Sequence, residues 1–220
     1  MQAIAKLWWR LIQFGFRLLY NELAWTYDFV SKVVSLGQWR SWQQTALKHL
    51  NLASGERVLE LAHGTGDLEL DLYAAGYRVI GDDLSPHMGR IAQRKLKRHG
   101  INAQLVRGAA QRLPFPNGAF AAIVSTFPTN FIFAPETLRE AYRVLQPGGR
   151  LVIVPGGSLT GSGILVHLIE WLYHITGQRE DGTYQRIIDF FNQHGFELQV
   201  VEEKLPRSRA WVFVATRKTL

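Results

Sequence analysis

The sequence predicts an α/β fold built on a seven-stranded, mostly parallel sheet that ends in an antiparallel C-terminal hairpin. Two observations support this prediction. From residue 57 onward, short β-like runs alternate with helical stretches, which is the pattern of a parallel sheet covered by helices on both faces. The last two β-like runs are separated only by a short turn around Pro206, which favours direct antiparallel pairing.

Each element of this fold has a local signal. The first strand, 57–62, is followed by Gly64 and Gly66, which open a helix to about residue 75. Ser85 is a typical N-cap, and Pro86 suits the first position of a helix that runs to about residue 99. The other predicted strands cover 77–81, 104–107, 119–125, 150–154, a run starting at 196, and 211–215, and the other helices cover 135–145 and 184–194.

Two segments lie outside this alternation, and both are expected to be helical. Residues 1–52 are predicted to form an N-terminal cap, and residues 156–182 a helical insertion after the fifth strand. Ligands of open parallel sheets bind at the carboxyl ends of the strands, so both segments are expected to act as a lid there. The remaining main domain spans 53–220 and has one core.

The composition excludes several kinds of site. The chain has no cysteine, which rules out disulfides, a thiolate nucleophile and cysteine-containing zinc sites, and we expect a reducing, cytoplasmic location. Its net charge is +7, and no acidic residue lies between Asp83 and Glu136. The basic residues of that interval are best interpreted as a solvated helix face, with nucleic acid or an anionic membrane as the alternatives.

The N-terminal stretch 7–20 predicts an amphipathic helix. Arg10 and Arg17 interrupt it and no convincing cleavage site follows, so we expect neither a secretion signal nor a bilayer-spanning helix. Polar side chains fall on one helical face, and Trp, Phe and Leu cover the rest. This pattern is typical of a helix in a membrane interface, and equally of a helix that covers the protein's own domain.

The turn after the first strand carries the chemistry. Gly64 and Gly66 allow a ligand to approach the backbone closely, and Asp83 ends the next strand nineteen positions after Gly64, which suits a ribose. A dinucleotide site requires a third glycine, but Glu69 occupies that position and would face a pyrophosphate. The pattern therefore favours a cofactor that has a ribose and no phosphate.

Four blocks in register resemble the S-adenosylmethionine-dependent methyltransferases of the Rossmann-like class I superfamily. The resemblance covers roughly residues 55–220, and its blocks are 58–66, 79–86, 112–116 and 138–149. It implies S-adenosylmethionine as the cofactor. The implied contacts are Glu60, Ala62, His63, Gly64 and Gly66 for the methionine part, Asp83 for the ribose, Leu84, Ala109 and Ala110 for the adenine, and Ser125 and Thr126 below the sulfonium.

This sequence departs from the superfamily pattern at three positions. Ala109 stands where the superfamily usually has the aspartate that accepts the adenine amino group, and Ala121 where it often has another aspartate. Loss of one charge-assisted hydrogen bond costs on the order of 1.5–3 kcal/mol, which cofactor binding can survive. Ala62 replaces the first glycine of the turn.

A segment upstream of the glycine turn is similar to the ubiquinone and menaquinone C-methyltransferases. The matching residues are Tyr27, Asp28, Ser35, Gly37, Arg40 and Trp42. Trp39 stands where that branch has histidine. The resemblance is therefore nearest to this quinone branch, and Tyr27 and Trp42 are expected either to contact the sulfonium or to pack in the core.

Methyl transfer from a sulfonium requires an in-line approach in a dry site and few catalytic groups. Asp28, His167 and His174 are therefore only candidates for a proton acceptor. His167, Glu170 and His174 share one face of the inserted helix, and a polar stripe that faces water is the favoured interpretation of them. Their order is not that of a zinc protease motif, so no metal site is expected.

The sequence thus predicts an S-adenosylmethionine-dependent methyltransferase for a small apolar or amphipathic acceptor, quinone-like or lipid-like, with possible membrane contact through residues 1–20. A nucleic-acid methyltransferase is less favoured, because residues 125–128 lack the loop that holds a flipped base. A non-catalytic binding scaffold remains the other alternative, supported by Ala109 and Ala121. The general base, the acceptor and the oligomeric state are left open.

Overall fold

The computed structural model describes residues 23–163, 166–167, 169 and 184–219. Its seven strands form one sheet in the order β3-β2-β1-β4-β5-β7-β6. They are β1 Arg57–Leu61, β2 Arg78–Asp83, β3 Gln104–Arg107, β4 Phe120–Thr126, β5 Leu145–Leu159, β6 Phe196–Leu205 and β7 Ser208–Arg217. Strands β1, β2, β3, β4 and β5 are parallel to one another, whereas β7 is antiparallel to both β5 and β6. The predicted fold class is therefore confirmed.

Helices cover both faces of this sheet. Within the described residues they are α1 Tyr27–Val34, α2 Trp39–Gln44, α3 Leu47–Leu50, α4 Asp67–Ala74, α5 Pro86–Arg98, α6 Pro135–Val144 and α7 Gln185–Gln193, with 3-10 turns at Ala24–Thr26 and Asn130–Phe133. Helix α5 begins as the sequence predicts: Ser85 Oγ accepts a hydrogen bond from the backbone N–H of Met88, and proline follows the cap.

The core lies on both faces of the sheet because consecutive strand residues point in opposite directions. Leu59 and Leu61 of β1 join the cluster that packs against α6 and α7. Val58, on the other face, joins the cluster that packs against α3 and α4. Both faces are covered, so β4 and all of β1 after Arg57 are buried, and most of their residues are apolar.

The structure corrects the bounds predicted around the fifth strand. Helix α6 ends at Val144, and β5 begins at Leu145, which pairs with Phe120 of β4. The strand also continues to Leu159, because residues 156–159 pair with 208–211 of β7. These four residues, assigned to the insertion from the sequence, therefore extend the sheet.

The order of the strands fixes where a ligand can enter. Strands β1, β2 and β3 progress toward one edge of the sheet, and β4, β5 and the hairpin toward the other. The direction of winding reverses between β1 and β4, and the crevice at their carboxyl ends is the usual ligand site of such sheets. In the described part of the chain, no helix combines the length and apolar character needed to cross a bilayer.

Candidate active site

The turn after β1 has an unusual backbone. Ala62, Gly64 and Gly66 all have positive φ angles, of 56°, 55° and 80°. A side chain at position 66 would also meet Ala92, whose Cβ would lie 3.0 Å from the added carbon, so glycine is required there. Ala62 adopts the left-handed conformation without that freedom, which stores strain at the first position of the turn.

Asp83 connects the glycine turn to the end of β2. Its Oδ2 accepts a hydrogen bond from the Gly64 N–H at 2.9 Å, and its Oδ1 accepts one from the Ser85 N–H at 2.7 Å. Each carboxylate oxygen has a further lone pair, so Asp83 can still accept hydrogen bonds from a diol. The next residue, Leu84, exposes 66% of its surface. An acceptor and an apolar platform therefore lie side by side, as a nucleoside requires.

Three other carboxyl groups are almost fully buried around this turn. Glu60 and Glu69 are each 1% exposed and Asp82 is 2% exposed. Among the described residues, one oxygen of each has no hydrogen-bond partner: Oε2 of Glu60, Oε2 of Glu69 and Oδ1 of Asp82. Such groups are rare in native proteins and call for an explanation, of which a bound ligand is one.

Burial is the largest cause of the raised pKa values of these carboxyl groups. It raises the pKa of Glu60 well above its usual range, and the charge of Glu69 adds to the effect. Burial and the charge of Asp83 raise the pKa of Glu69 to about 8 and that of Asp82 to about 7. These carboxyl groups therefore keep their protons to higher pH than usual, and a cationic ligand would favour their ionised forms.

His63 is enclosed in the same turn and is 4% exposed. Its Nδ1 donates a hydrogen bond to the Gly64 carbonyl at 2.9 Å, and burial lowers its pKa, so the imidazole is neutral at pH 7. The imidazole ring of His63 and the carboxyl group of Glu69 fill the space over Gly81, where an added Cβ would overlap Glu69 Oε1. His63 therefore packs within the glycine turn.

The loop after β3 lies against the end of β2. Arg107 Nε donates a hydrogen bond to the Leu84 carbonyl at 3.2 Å. Gly108 lies directly over Asp82, since a Cβ there would be 2.4 Å from Asp82 Oδ1. Ala109 forms an isolated bridge with Arg112, and Ala110 is buried. The loop thus reaches Leu84, and Asp82 lies beneath it rather than in the open crevice.

The end of β4 closes the crevice opposite the glycine turn. Ser125 Oγ donates a hydrogen bond to the Leu61 carbonyl at 2.9 Å, and Thr126 Oγ1 accepts one from Gln43 Nε2 at 3.2 Å. Phe127 follows with a φ of 51°, and its N–H donates to the Val154 carbonyl at 2.8 Å. A left-handed conformation is unusual for a bulky residue, and such strain often marks a functional position.

Four aromatic side chains meet beside this strained residue, and we call them the aromatic cluster. Trp39 and Phe127 stack with their ring centroids 3.6 Å apart and their planes 24° apart. Tyr27 meets Trp39 edge-on at 6.2 Å, and Trp42 lies 6.2 Å from Phe127. The cap contributes three of these rings, and the end of β4 contributes the fourth. Val166 and Ile169 of the insertion, like Trp39 and Phe127, pack against the buried cluster of Trp42, Leu159 and Ala210.

The cap is held on the crevice by polar contacts. Asp28 of α1 accepts hydrogen bonds from Thr65 Oγ1 at 2.5 Å and from Lys95 Nζ at 2.8 Å. Lys95 also pairs with Asp67 at 2.7 Å, and Arg40 of α2 pairs with Asp71 at 2.9 Å. The cap therefore contacts the glycine turn itself and the start of α4, at the edge where a lid was predicted.

The structure brings some of the sequence-predicted site residues together and leaves others apart. Glu60, the glycine turn, Asp83 and Leu84 come together as expected, and the loop 107–110 lies beside them. Asp28 is used in holding the cap. His167 is exposed, and its Nδ1 donates to the Gly163 carbonyl at 3.0 Å. His174 and Glu170 lie outside the described residues, so the proton acceptor remains a prediction.

Sequence reasoning missed the stacking of Trp39 on Phe127 and the burial of Glu69 and Asp82. Trp39 attracted attention only as a mismatch to the quinone branch, and Phe127 only as part of residues 125–128, which lack a loop that holds a flipped base. Glu69 was considered only as an obstacle to a pyrophosphate. A bulky aromatic directly after a predicted strand at the reversal of the sheet is the signal that could have identified Phe127.

Two solved methyltransferases have a similar fold. A putative S-adenosylmethionine-dependent methyltransferase from Methanococcus maripaludis has a TM-score of 0.68 at 19% identity and covers 90% of this chain and 93% of its own. A geranyl diphosphate methyltransferase in complex with S-adenosylmethionine has a TM-score of 0.62 at 16% identity and covers 81% and 85%. At these identities the likeness concerns the fold alone.

The strand order, the glycine turn and the carboxylate that ends β2 together define the class I methyltransferase superfamily. Within it, the family model for the ubiE/COQ5 methyltransferase family matches residues 16–178, and the chain belongs to that family. The predicted superfamily and its quinone branch are thus both confirmed.

Two curated relatives illustrate the relationship. A demethylmenaquinone methyltransferase from Thermus thermophilus is 40% identical over 139 residues, which cover 62% of this chain and 63% of the relative. One from Lactiplantibacillus plantarum is 32% identical over 208 residues, which cover 81% and 86%. The chain therefore spans a little under two thirds of the Thermus relative's length.

Proposed function

We propose that the protein transfers a methyl group from S-adenosylmethionine to a small apolar acceptor of the quinone type. One observation carries the proposal. A cofactor-type turn, formed by Gly64, Gly66 and Asp83, and the aromatic cluster lie on the two sides of one crevice, where the winding of the sheet reverses. Two reactants held in contact at such a place need little further catalysis.

The residues of the crevice fit the cofactor. The turn presents backbone without side chains at Gly64 and Gly66, Asp83 keeps free lone pairs for ribose hydroxyls, and exposed Leu84 offers an apolar surface to a base. Glu60 Oε2 is buried without a described partner. When bound, S-adenosylmethionine supplies an electrophilic methyl group on a sulfonium.

The charge of the site supports a cationic donor. Glu60 and Glu69 are buried carboxyl groups with raised pKa values, and His63 beside them is neutral. A sulfonium favours the ionised carboxylates, whereas the demethylated product lacks that positive charge. These residues are therefore expected to bind the methyl donor more tightly than the product, and to aid product release.

The aromatic cluster is proposed as the acceptor site. Trp39 and Phe127 provide a flat apolar surface, and Val166 and Ile169 of the insertion pack against the same buried cluster around Trp42 as these two rings do. Relatives of this chain are named for demethylmenaquinone, and a quinone ring stacks well on aromatic side chains. Residues of the cap and of the insertion pack on one apolar cluster, which supports the proposal of a lid that excludes water from the reacting atoms.

The non-catalytic scaffold is less favoured. Ala121 lies at the amino end of β4, far along the strand from the crevice at Thr126, so it does not indicate a lost site. Ala109 lies in the loop beside Leu84 and is the single substitution that bears on cofactor affinity. Membrane contact through residues 1–20 and a cytoplasmic location stay predictions, and those residues lie outside the described part of the chain.

A methyl-transfer assay tests the proposal. The full chain is incubated with methyl-labelled S-adenosylmethionine and a short-chain demethylmenaquinol. The S–CH3 bond breaks with its electron pair left on sulfur, a C–C bond forms at the ring, and the ring carbon loses a proton. We expect labelled product. Phe127→Ala should raise the KM for the quinol by about tenfold or more, through lost stacking and packing, and leave cofactor affinity unchanged.

Two outcomes would contradict the proposal. Tight cofactor binding without transfer to any quinol or lipid acceptor would support the scaffold instead. Unchanged kinetics in the Phe127→Ala variant would remove the aromatic cluster from the acceptor site. Phe133→Ala is the matched control, because it shortens a partly exposed phenylalanine outside the aromatic cluster.

A further inference from the structure

Helix α1 faces the protein with Ser31, which is buried, and with Tyr27, Val30 and Val34, which are half-buried. Ser31 and Ser35 are buried, and their hydroxyls are used in hydrogen bonds to backbone carbonyls of the preceding turn. Asp28 bonds to Thr65 and Lys95 of the main domain. The inner side of α1 thus buries one set of apolar side chains, as in an ordinary amphipathic helix, and a second apolar set remains on the other side.

The outer face of the same segment is apolar. Trp25 is 76% exposed, Phe29 is 71% exposed and Val33 is 52% exposed, and their spacing of four places them in one stripe. Leu23 and Leu36 extend the stripe at either end. Single exposed apolar residues are ordinary, but a continuous stripe of this kind marks an interaction surface. We call residues 23–36 on this side the outer face.

A basic helix lies next to the outer face. The turn Ala24–Thr26, which carries Trp25, contacts helix α5. That helix exposes Arg90, Arg94, Lys97 and Arg98. No acidic residue occurs in the sequence from Leu84 to Pro135, so nothing within this segment offsets their charge. Lys32 adds an exposed cation within the outer face itself.

We propose that the outer face and helix α5 together dock on an anionic lipid bilayer. Exposed Trp, Phe and Val side chains beside a dense group of cations are the composition of a peripheral membrane surface. A second copy of the chain is a poorer partner, because a symmetric dimer through this face brings two α5 helices close together and their like charges repel.

The orientation of the surface suits the site. Helix α1 carries the outer face on one side and Tyr27 of the aromatic cluster on another, so docking brings the acceptor crevice close to the membrane. This advantage rests on the proposed function, because an apolar quinone is dissolved in the bilayer. The docking itself does not rest on the proposed function, because it depends only on the composition of the exposed surface.

Vesicle co-sedimentation without cofactor or quinol tests the docking. We expect the full chain to bind phosphatidylglycerol vesicles at low salt, to bind phosphatidylcholine vesicles much less, and to be released by added salt. The double variant Phe29→Asp with Val33→Asp should lose about tenfold or more in binding, and so should Arg94→Glu with Lys97→Glu. Both pairs are exposed, so circular dichroism should show an unchanged fold.

A charge-matched control separates local contact from net charge. Arg186→Glu with Lys204→Glu makes the same change on α7 and β6, at the opposite edge of the sheet, and should bind anionic vesicles nearly as the wild type does. If Arg94→Glu/Lys97→Glu and Arg186→Glu/Lys204→Glu lose vesicle binding equally, the proposal is overturned, because binding then follows net charge alone.

Three further results would also overturn it. Wild-type binding by the Phe29→Asp/Val33→Asp variant would remove the outer face from the contact. Loss of binding only on deletion of residues 1–20 would place the contact there. A concentration-dependent dimer that the same variant abolishes would identify a second copy as the partner. Methyl transfer to a short-chain quinol in detergent should be unchanged in this variant, which keeps a failure of docking separate from a failure of the proposed function.

Discussion

Replacing Glu69 with glutamine is expected to stabilise the protein above neutral pH and to reduce the pH dependence of its stability. Glu69 is 1% exposed, and in the described structure its Oε2 has no hydrogen-bond partner. Burial, followed by the charge of Asp83, raises its pKa from 4.5 to about 8. Glutamine has the same shape and cannot ionise, so it removes the cost of the buried charge.

The sign and size follow from proton linkage. Between the unfolded pKa of 4.5 and the folded pKa of about 8, the folded protein binds more protons than the unfolded chain. The free energy of unfolding therefore falls as pH rises through this range, by at most about 1.4 kcal/mol per pH unit for one proton. From about pH 5.5 to about pH 7.5, Glu69 alone accounts for roughly 2–3 kcal/mol.

Urea unfolding of the ligand-free protein at a series of pH values measures this effect. The free energy of unfolding of the wild type should fall as pH rises. In Glu69→Gln the slope of this fall should be smaller by the contribution of about one proton, and Glu60 and Asp82 should account for the slope that remains. Glu197→Gln, which changes an exposed carboxyl group on β6, is the matched control and should follow the wild type. Parallel curves for the wild type and Glu69→Gln would refute the assignment of a raised pKa to Glu69.

Three further predictions concern the same site. Ala62→Gly should raise the free energy of unfolding by roughly 0.5–1 kcal/mol, because it relieves a positive φ of 56°, and a loss of stability in urea would contradict the strain. S-adenosylmethionine should bind more tightly as pH rises from about 6 to about 8 and release protons in calorimetry, because a cation favours the ionised form of Glu69. S-adenosylhomocysteine has the same amino acid group without the sulfonium, and an equal pH dependence for both ligands would show that the sulfonium does not cause the effect. Ala109→Asp should tighten cofactor binding measurably by titration, and a neutral or weaker result would mean that another group serves the adenine.

The sequence was sufficient for the fold because its local signals agree with one another. Alternating strands and helices, the Ser85-Pro86 helix start and the short turn before Ser208 each specify their element without reference to distant residues. The length of β5 was missed, because the glycines from 156 onward resemble a loop. They extend the strand only because β7 is there to pair with them.

The site was predictable where it depends on the backbone and unpredictable where it depends on packing. Gly64, Gly66 and Asp83 are recognisable because a turn and a strand end require those residue types at that spacing. The stack of Trp39 on Phe127 joins residues 88 positions apart and has no local signature. Glu69 lies in the first turn of α4, a position that does not itself predict burial, and only the closed packing around Gly81 shows that it is buried.

Calorimetric titration of S-adenosylmethionine into the wild type and into Asp83→Ala tests the central claim most directly. We predict one binding site in the wild type and an affinity about ten- to a hundredfold lower in the variant, or roughly 1.5–3 kcal/mol, because Asp83 accepts charge-assisted hydrogen bonds at the turn. Asp189→Ala, which removes an exposed carboxylate on α7, should bind as the wild type does. No binding to the wild type, or equal affinity in the wild type and Asp83→Ala, would contradict the assignment of this crevice to the cofactor.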